Sequence, residues 1–106
     1  MKRLRIRPRA DRDIDEAFAF IARDNHLAAI RFLEAVEESF LLLQKQSGIG
    51  SRRWAHVPLL KHTRMLGVTG FRKHLIFYIE HPTHIEIVRL LHAARDIPAI
   101  FGETGD

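Results

Sequence analysis

The stretch GFRKHLIFYIEHPTHIEIVRLLHAARD, from Gly70 to Asp96, decides the fold of this chain. It contains two runs rich in branched and aromatic apolar residues, Leu75 to Ile79 and Ile85 to Leu91. A Glu-His-Pro-Thr-His break separates the runs, so together they predict two antiparallel strands joined by a turn. Cations flank both runs, and the hydrophobic centre of the protein is therefore bracketed by positive charge.

The second run predicts a strand that is buried on both faces, because apolar residues occupy both of its alternating positions. Alternation places Ile85, Ile87 and Leu91 on one face and Val88 and Leu90 on the other. Helices are expected to cover one of these faces. The other is covered either by the C-terminal segment or by a partner protein.

The C-terminal segment offers three apolar residues for this purpose, Ile97, Ile100 and Phe101. Asp96 precedes them and is a candidate N-cap for a short helix. Residues 102–106 are expected to fray, as chain ends commonly do.

The residues before this stretch predict a short strand, two helices and then another strand, which is the third besides the two of the opening stretch. Leu4 and Ile6 alternate with arginines until Pro8, which indicates the first strand. Asp11 is the candidate cap of the first helix, and a break at residues 24–26 precedes the second. The helical stripes are Ile14, Ala17, Phe18, Ile21 and Ala22, then Ala29, Phe32, Leu33, Val36, Phe40 and Leu43. The third strand alternates from Arg64 to Thr69.

The element order β-α-α-β-β-β with a short C-terminal helix predicts an α+β fold. Because the link between the helices is short, they are expected to form an antiparallel hairpin. This hairpin packs on a mainly antiparallel, four-stranded sheet. A chain of 106 residues has room for a single domain, residues 1–106.

Composition narrows the function to a basic protein that lacks thiol chemistry. The 17 Lys and Arg against 13 Asp and Glu give a net charge of +4 and a pI near 10.1. This charge fits an anionic partner, either nucleic acid or an acidic polypeptide, and fits a merely soluble basic domain equally well. The absence of cysteine excludes disulfides and zinc-thiolate sites. The N-terminus does not resemble a signal peptide and no apolar run is long enough for a membrane span, so a cytoplasmic location is expected.

Three surface features each allow a structural and a functional interpretation. The arginines of the first strand either deter aggregation at an edge or form a binding strip. Apolar Leu41 and Leu42 lie off the main helical stripe, so the second helix either packs on two neighbours or offers a groove to another chain. Trp54 beside two arginines either pins a long loop to the core or stacks on a nucleic-acid base.

The common catalytic and metal-binding motifs are absent from the sequence. His81 and His84 have a ligand-like spacing but lack a third ligand, so surface histidines are favoured. No phosphate-binding glycine loop and no nucleophile elbow is present, and no cofactor or metal is predicted.

A group of cations remains that could support metal-free cleavage of RNA through its own 2′-hydroxyl. Its members are Arg64, Arg72, Arg89, His92 and Arg95. Arg89 lies within an apolar strand, where an arginine needs a carboxylate partner. Asp96, Glu80 and Glu86 are the candidate partners.

Three segments carry a resemblance to a known family: RLLHAARDIP at 89–98, FRKHLIFY at 71–78, and the helix pair with Ala17, Ile21, Ala29 and Phe32. They resemble the RelE/ParE superfamily of toxins from type II toxin–antitoxin modules. The chain is most similar to the ParE branch.

The resemblance implies a helix hairpin on a sheet in which the first strand lies beside the last. It also implies a bacterial cytoplasmic toxin of the plasmid-stabilisation kind, wrapped by a cognate antitoxin in a hetero-oligomeric complex. ParE-like proteins are described as inhibitors of DNA gyrase that cause growth arrest, whereas RelE-like relatives cut messenger RNA on the ribosome.

The residues after the last strand argue against the nuclease, and the assignment as a gyrase inhibitor rests on the resemblance to the ParE branch. The nucleases of the superfamily use a strand arginine, which Arg72 matches, further basic groups after the last strand, and a tyrosine or histidine near the C-terminus. Here those later positions hold Ala93, Ala94, Ala99, Ile100 and Phe101. A ribosome-dependent, metal-free endoribonuclease, with Arg72, His92 and Arg95 as its candidate catalytic residues, is the alternative.

The partner expected from charge and resemblance is an acidic antitoxin, with DNA gyrase as the target. A membrane and a small-molecule substrate are not expected. The predicted antitoxin-binding residues are Phe40, Leu41, Leu42, Arg64 and Arg72.

Overall fold

The computed structural model describes residues 1–104 of the chain. Its regular elements are β1 (Arg3–Ile6), α1 (Pro8–Asp24), α2 (His26–Lys45), β2 (Thr63–Val68), β3 (Phe71–Glu80), β4 (His84–His92) and α3 (Ile97–Thr104). Two short 3₁₀ helices, Ser47–Ile49 and Pro58–Leu60, lie in the loop between α2 and β2. Among the helices described, none combines the length and apolar character that crossing a membrane requires.

The four strands form one mixed sheet in the order β1-β4-β3-β2. β2, β3 and β4 pair antiparallel, and β1 runs parallel to β4. Gly70 has a φ of 79° in the turn between β2 and β3, a conformation that favours glycine. The predicted α+β fold is confirmed, as is the position of the first strand beside the last.

The helical hairpin is confirmed, but its first helix starts earlier than predicted. α1 begins at Pro8, and Arg7 occupies the N-cap position without a side-chain hydrogen bond. The prediction of Asp11 as the cap is wrong, because proline fits the first helical position and can start the helix without a capping side chain. Asn25 alone links the helices, and its side-chain oxygen accepts a hydrogen bond from the Ala28 N–H at 3.0 Å.

The main core lies between the hairpin and the sheet. It is built from the inward stripes of both helices and the facing residues of the strands, and Phe32, Leu43, Ile76 and Tyr78 are fully buried in it. Edge-to-face packing of Phe32 on Phe71, with ring centroids 5.4 Å apart, joins α2 to β3. These contacts fix the height of the helices above the sheet.

A second core covers the opposite face of the sheet, and the chain's own C-terminus completes it. Ile97, Ile100 and Phe101 of α3 are buried there against Val88 and other residues of the sheet. The Asp96 carboxylate accepts a hydrogen bond from the Ala99 N–H at 3.2 Å, so the predicted cap is confirmed. The C-terminal segment, rather than a partner protein, therefore covers this face.

Residues 102–104, which the sequence predicts to fray, continue α3 as far as Thr104. Residues 105 and 106 lie outside the described residues.

A β-bulge changes which residues of β4 share a face. Phe77 pairs with Arg89 and Tyr78 with Ile87, so the register shifts by one residue at Val88. Leu90 consequently joins Ile87 in the main core and Leu91 joins Val88 in the second core, which reverses the predicted positions of the two leucines.

Candidate functional site

Arg89 is held inside the protein by Asp13 of α1. The arginine is 1% exposed and the aspartate 5%. Nε of Arg89 donates to one carboxylate oxygen at 2.7 Å and Nη2 donates to the other at 3.1 Å, and the Leu90 N–H also donates to the carboxylate at 3.1 Å. A fork of two bonds onto one carboxylate is a strong, oriented form of ion pair.

The predicted partners of Arg89 were therefore wrong. Glu80 and Glu86 bind other cations, and the Asp96 side chain caps α3. The partner is instead Asp13, near the start of α1. The sequence did contain a signal for its burial, since Asp13 lies on the inward stripe of α1, three residues from Ala10 and four from Ala17.

Arg64 also has a structural role. Its Nη1 donates to the Gly50 carbonyl at 3.0 Å, and its Nε lies 3.5 Å from a carboxylate oxygen of Glu80. Arg64 and Arg89 are thus both engaged within the chain, which leaves Arg72, His92 and Arg95 of the predicted cationic group.

His92 and Arg95 line a cleft of about 300 Å³ between α1 and the end of the sheet, here called the α1 cleft. Its other lining residues are Asp13, Glu16, Ala17, Phe20, His74, Leu90 and Leu91. The His74 and His92 rings meet edge to face with centroids 5.2 Å apart. Nδ1 of His92 accepts a hydrogen bond from the Ala94 N–H at 3.0 Å, which ties the histidine to the turn before α3.

Arg72 lies elsewhere, in a cleft of about 480 Å³ here called the Trp54 cleft. The remaining lining residues are Arg53, Trp54, Met65, Gly67, Leu75 and Ala93. Trp54 packs on the second core, and the guanidinium carbon of Arg53 lies 5.7 Å from the centre of its ring. Trp54 therefore pins the loop, while two arginines remain at the rim. The structure does not bring Arg72 together with His92 and Arg95.

The predicted apolar contact surface on α2 is smaller than its three residues suggested. Leu41 is 48% exposed and Leu42 is 36% exposed, whereas Phe40 is only 6% exposed and belongs to the main core. The side chains of the two leucines are available to a partner. That of Phe40 holds the helix on the sheet.

The turn between β3 and β4 places His81 against His84. Their rings are stacked with centroids 4.3 Å apart, and Nε2 of His81 lies 2.9 Å from a carboxylate oxygen of Glu86. Among the side chains of residues 1–102, no group of three or more histidine and acidic residues is arranged to hold a metal ion.

Burial lowers the pKa of His74 below its ordinary value of 6.5, and the neighbouring His92 lowers the pKa further. Below pH 6.5 the unfolded chain therefore binds the proton of His74 more readily than the folded chain does. Stability is expected to fall as the pH drops from 6.5 through the lower pKa of the folded state.

Melting temperatures measured between pH 7 and pH 5 should show this dependence. His74→Gln is expected to fall less steeply than the parent over this range, whereas His56→Gln, at an exposed position, should follow the parent. Parallel curves for the parent and His74→Gln would contradict the assignment.

Comparison with known proteins identifies the family. The model of a family described as the ParE toxin of the type II toxin–antitoxin system parDE matches residues 4–97. The chain belongs to the ParE toxin family. The resemblance found in the sequence is therefore confirmed, and this ParE-family chain is a toxin of the type II toxin–antitoxin class.

A solved structure shares the fold of this ParE-family chain. It is a chain of the chromosomal ParDE TA system from P. aeruginosa, with a TM-score of 0.71 and 19% sequence identity. The match covers 87% of the present chain and 96% of the other. No curated protein sequence matches the chain.

Proposed function

We propose that this ParE-family toxin inhibits DNA gyrase in the bacterial cytoplasm, acts as a single domain, and is neutralised by a ParD-like antitoxin. The observation that carries the proposal is the family match over residues 4–97. Supercoiling by purified gyrase, measured with and without the toxin, tests the target. We expect inhibition that increases with toxin concentration.

The ribosome-dependent endoribonuclease is less well supported, because its three candidate residues do not form one site. Arg72 lines the Trp54 cleft, while His92 and Arg95 line the α1 cleft beside Glu16. Arg72 therefore does not share a cleft with the histidine and arginine that would act beside it. Messenger cleavage on translating ribosomes that is lost in Arg72→Ala and His92→Ala would establish the nuclease and overturn the gyrase proposal.

The proposed antitoxin contacts combine apolar and charged groups. Leu41 and Leu42 provide exposed apolar surface, and Arg72 with Arg53 provides positive charge at the Trp54 cleft. An acidic antitoxin segment complements this charge. Phe40 and Arg64 support this surface rather than form it. Phe40 is buried, and Arg64 is bound to Gly50 and Glu80.

We expect Leu41→Ser with Leu42→Ser to raise the Kd for the antitoxin about 30-fold, because loss of a central apolar anchor costs about 2 kcal/mol. Isothermal titration with the proposed ParD-like antitoxin measures the Kd. Leu27→Ser with Ile30→Ser is the matched control, since these residues of α2 are 55% and 42% exposed. Equal losses in both double variants, or no loss in the first, would contradict the assigned surface.

A further inference from the structure

Arg3 and Arg5 form a row of positive charge along β1. Both side chains are exposed, and in the pairing with β4 they lie beside His84 and Glu86. The intervening Leu4 packs against the main core, on the helix side of the sheet. Because side chains alternate along a strand, Arg3 and Arg5 project from the opposite side.

Neither arginine forms an ion pair with a side chain of residues 1–102. No carboxylate of these residues lies within 4.0 Å of Arg3 or Arg5. Glu86, which pairs with Arg5 across the two strands, is engaged with Nε of Arg7 at 2.7 Å and Nε2 of His81 at 2.9 Å. Among residues 1–102, Arg3 and Arg5 thus differ from Arg64 and Arg89, which are bound to carboxylates of the chain.

The surroundings of the row suit a charged polymer better than a peptide. An open cleft of about 720 Å³ is lined by Arg3, Leu4, Arg5, Thr83 and His84. Leu4 is the single apolar residue among them, whereas peptide interfaces depend on apolar anchors. A phosphate backbone needs cations and hydrogen-bond donors alone.

The spacing of the arginines lets each guanidinium group reach a phosphate of its own, because two residues of a parallel strand advance about 6.6 Å. The guanidinium group binds phosphate with two donors. β1 also lies at the edge of the sheet, so its outer side has no neighbouring strand in the described residues.

We infer that Arg3 and Arg5 bind the phosphate backbone of duplex DNA and thereby place the toxin against the DNA that gyrase holds. The location of that DNA on gyrase rests on the proposed function. The binding itself does not, because the row of charges exists on the isolated chain.

Fluorescence anisotropy of a labelled DNA duplex with the full chain, titrated over a range of salt concentrations, tests the inference. For Arg3→Ala with Arg5→Ala we expect about tenfold weaker binding at low salt and a salt slope shallower by about 1.8, since two phosphate contacts are lost. Arg3→Lys with Arg5→Lys retains both charges and should keep the slope.

Arg12→Ala with Arg31→Ala is the matched control, because it removes the same charge from exposed positions on α1 and α2. Circular dichroism of each variant verifies its fold. The variant Arg3→Ala with Arg5→Ala is called the β1 variant below. An unchanged salt slope of DNA binding in the β1 variant, or an equal change in the control, would overturn the inference. Tighter binding to an RNA duplex of the same sequence, or weakened antitoxin binding with unchanged DNA binding, would also overturn it.

The two proposals fail in different ways. DNA binding lost in the β1 variant, with no effect of the parent toxin on gyrase, would leave the DNA site standing and remove the gyrase proposal. Full gyrase inhibition by the β1 variant, with unchanged DNA binding, would remove the DNA site and leave the gyrase proposal standing.

Discussion

Replacement of Asp13 by alanine is expected to lower the free energy of unfolding by about 3–5 kcal/mol, because it leaves the buried charge of Arg89 without a partner. The guanidinium is 1% exposed, and its Nη1 already has no hydrogen-bond partner, so water cannot readily replace the lost carboxylate. Urea unfolding followed by circular dichroism measures the change.

The same experiment has two internal controls. Asp15→Ala removes a neighbouring but exposed carboxylate and should change stability by less than about 0.5 kcal/mol. Asp13→Ala combined with Arg89→Met should recover most of the loss, because an apolar pair replaces a buried ion pair at little cost. A loss for Asp13→Ala no larger than that for Asp15→Ala would show that the ion pair does not stabilise the fold.

Phe101→Ala is expected to cost about 3–5 kcal/mol, as truncation of a buried phenylalanine commonly does. Phe101 is 2% exposed and meets Phe77 edge to face with ring centroids 5.3 Å apart. The loss would show that α3 is part of the folded core and covers the second face of the sheet.

Phe20→Ala is the matched control for this substitution. Phe20 is 66% exposed on α1, so the same truncation there should leave the unfolding midpoint in urea nearly unchanged. Similar midpoints for Phe101→Ala and the parent chain would contradict the assigned role of α3.

The order and type of the helices and strands could be predicted from the sequence, because the spacing of apolar residues differs between these elements. Two-residue alternation marks β1, helical spacing marks α1 and α2, and a continuous apolar run marks the doubly buried β4. The start of α1 was missed because Pro8 ends a strand and begins a helix equally well. The bulge at Val88 was missed because it changes the register of pairing and leaves no mark in the apolar pattern.

The partners of individual charges could be predicted less well. Asp13 and Arg89 are 76 residues apart in the chain and meet only when α1 packs on β4. Similarly, Arg72 and His92 belong to adjacent strands, yet they line different clefts. The sequence singles out Arg72, Arg89 and His92 but does not determine their neighbours.

The toxin family was recognisable from the motif at residues 89–98 together with the preceding strand and helix pair. The family model matches residues 4–97 and therefore covers most of that motif. The motif includes both structural residues, such as Arg89 and Asp96, and a residue of the α1 cleft, His92. The motif therefore identifies the family through residues that stabilise the fold as well as through a residue of a cleft.

The most direct test of the account is whether this toxin traps gyrase on DNA. Purified gyrase, supercoiled plasmid and the full chain are incubated and then treated with detergent and protease, and linear plasmid is quantified. We predict that linear DNA increases with toxin concentration and is abolished by prior addition of the antitoxin. Normal supercoiling with no linear DNA at excess toxin would contradict the account.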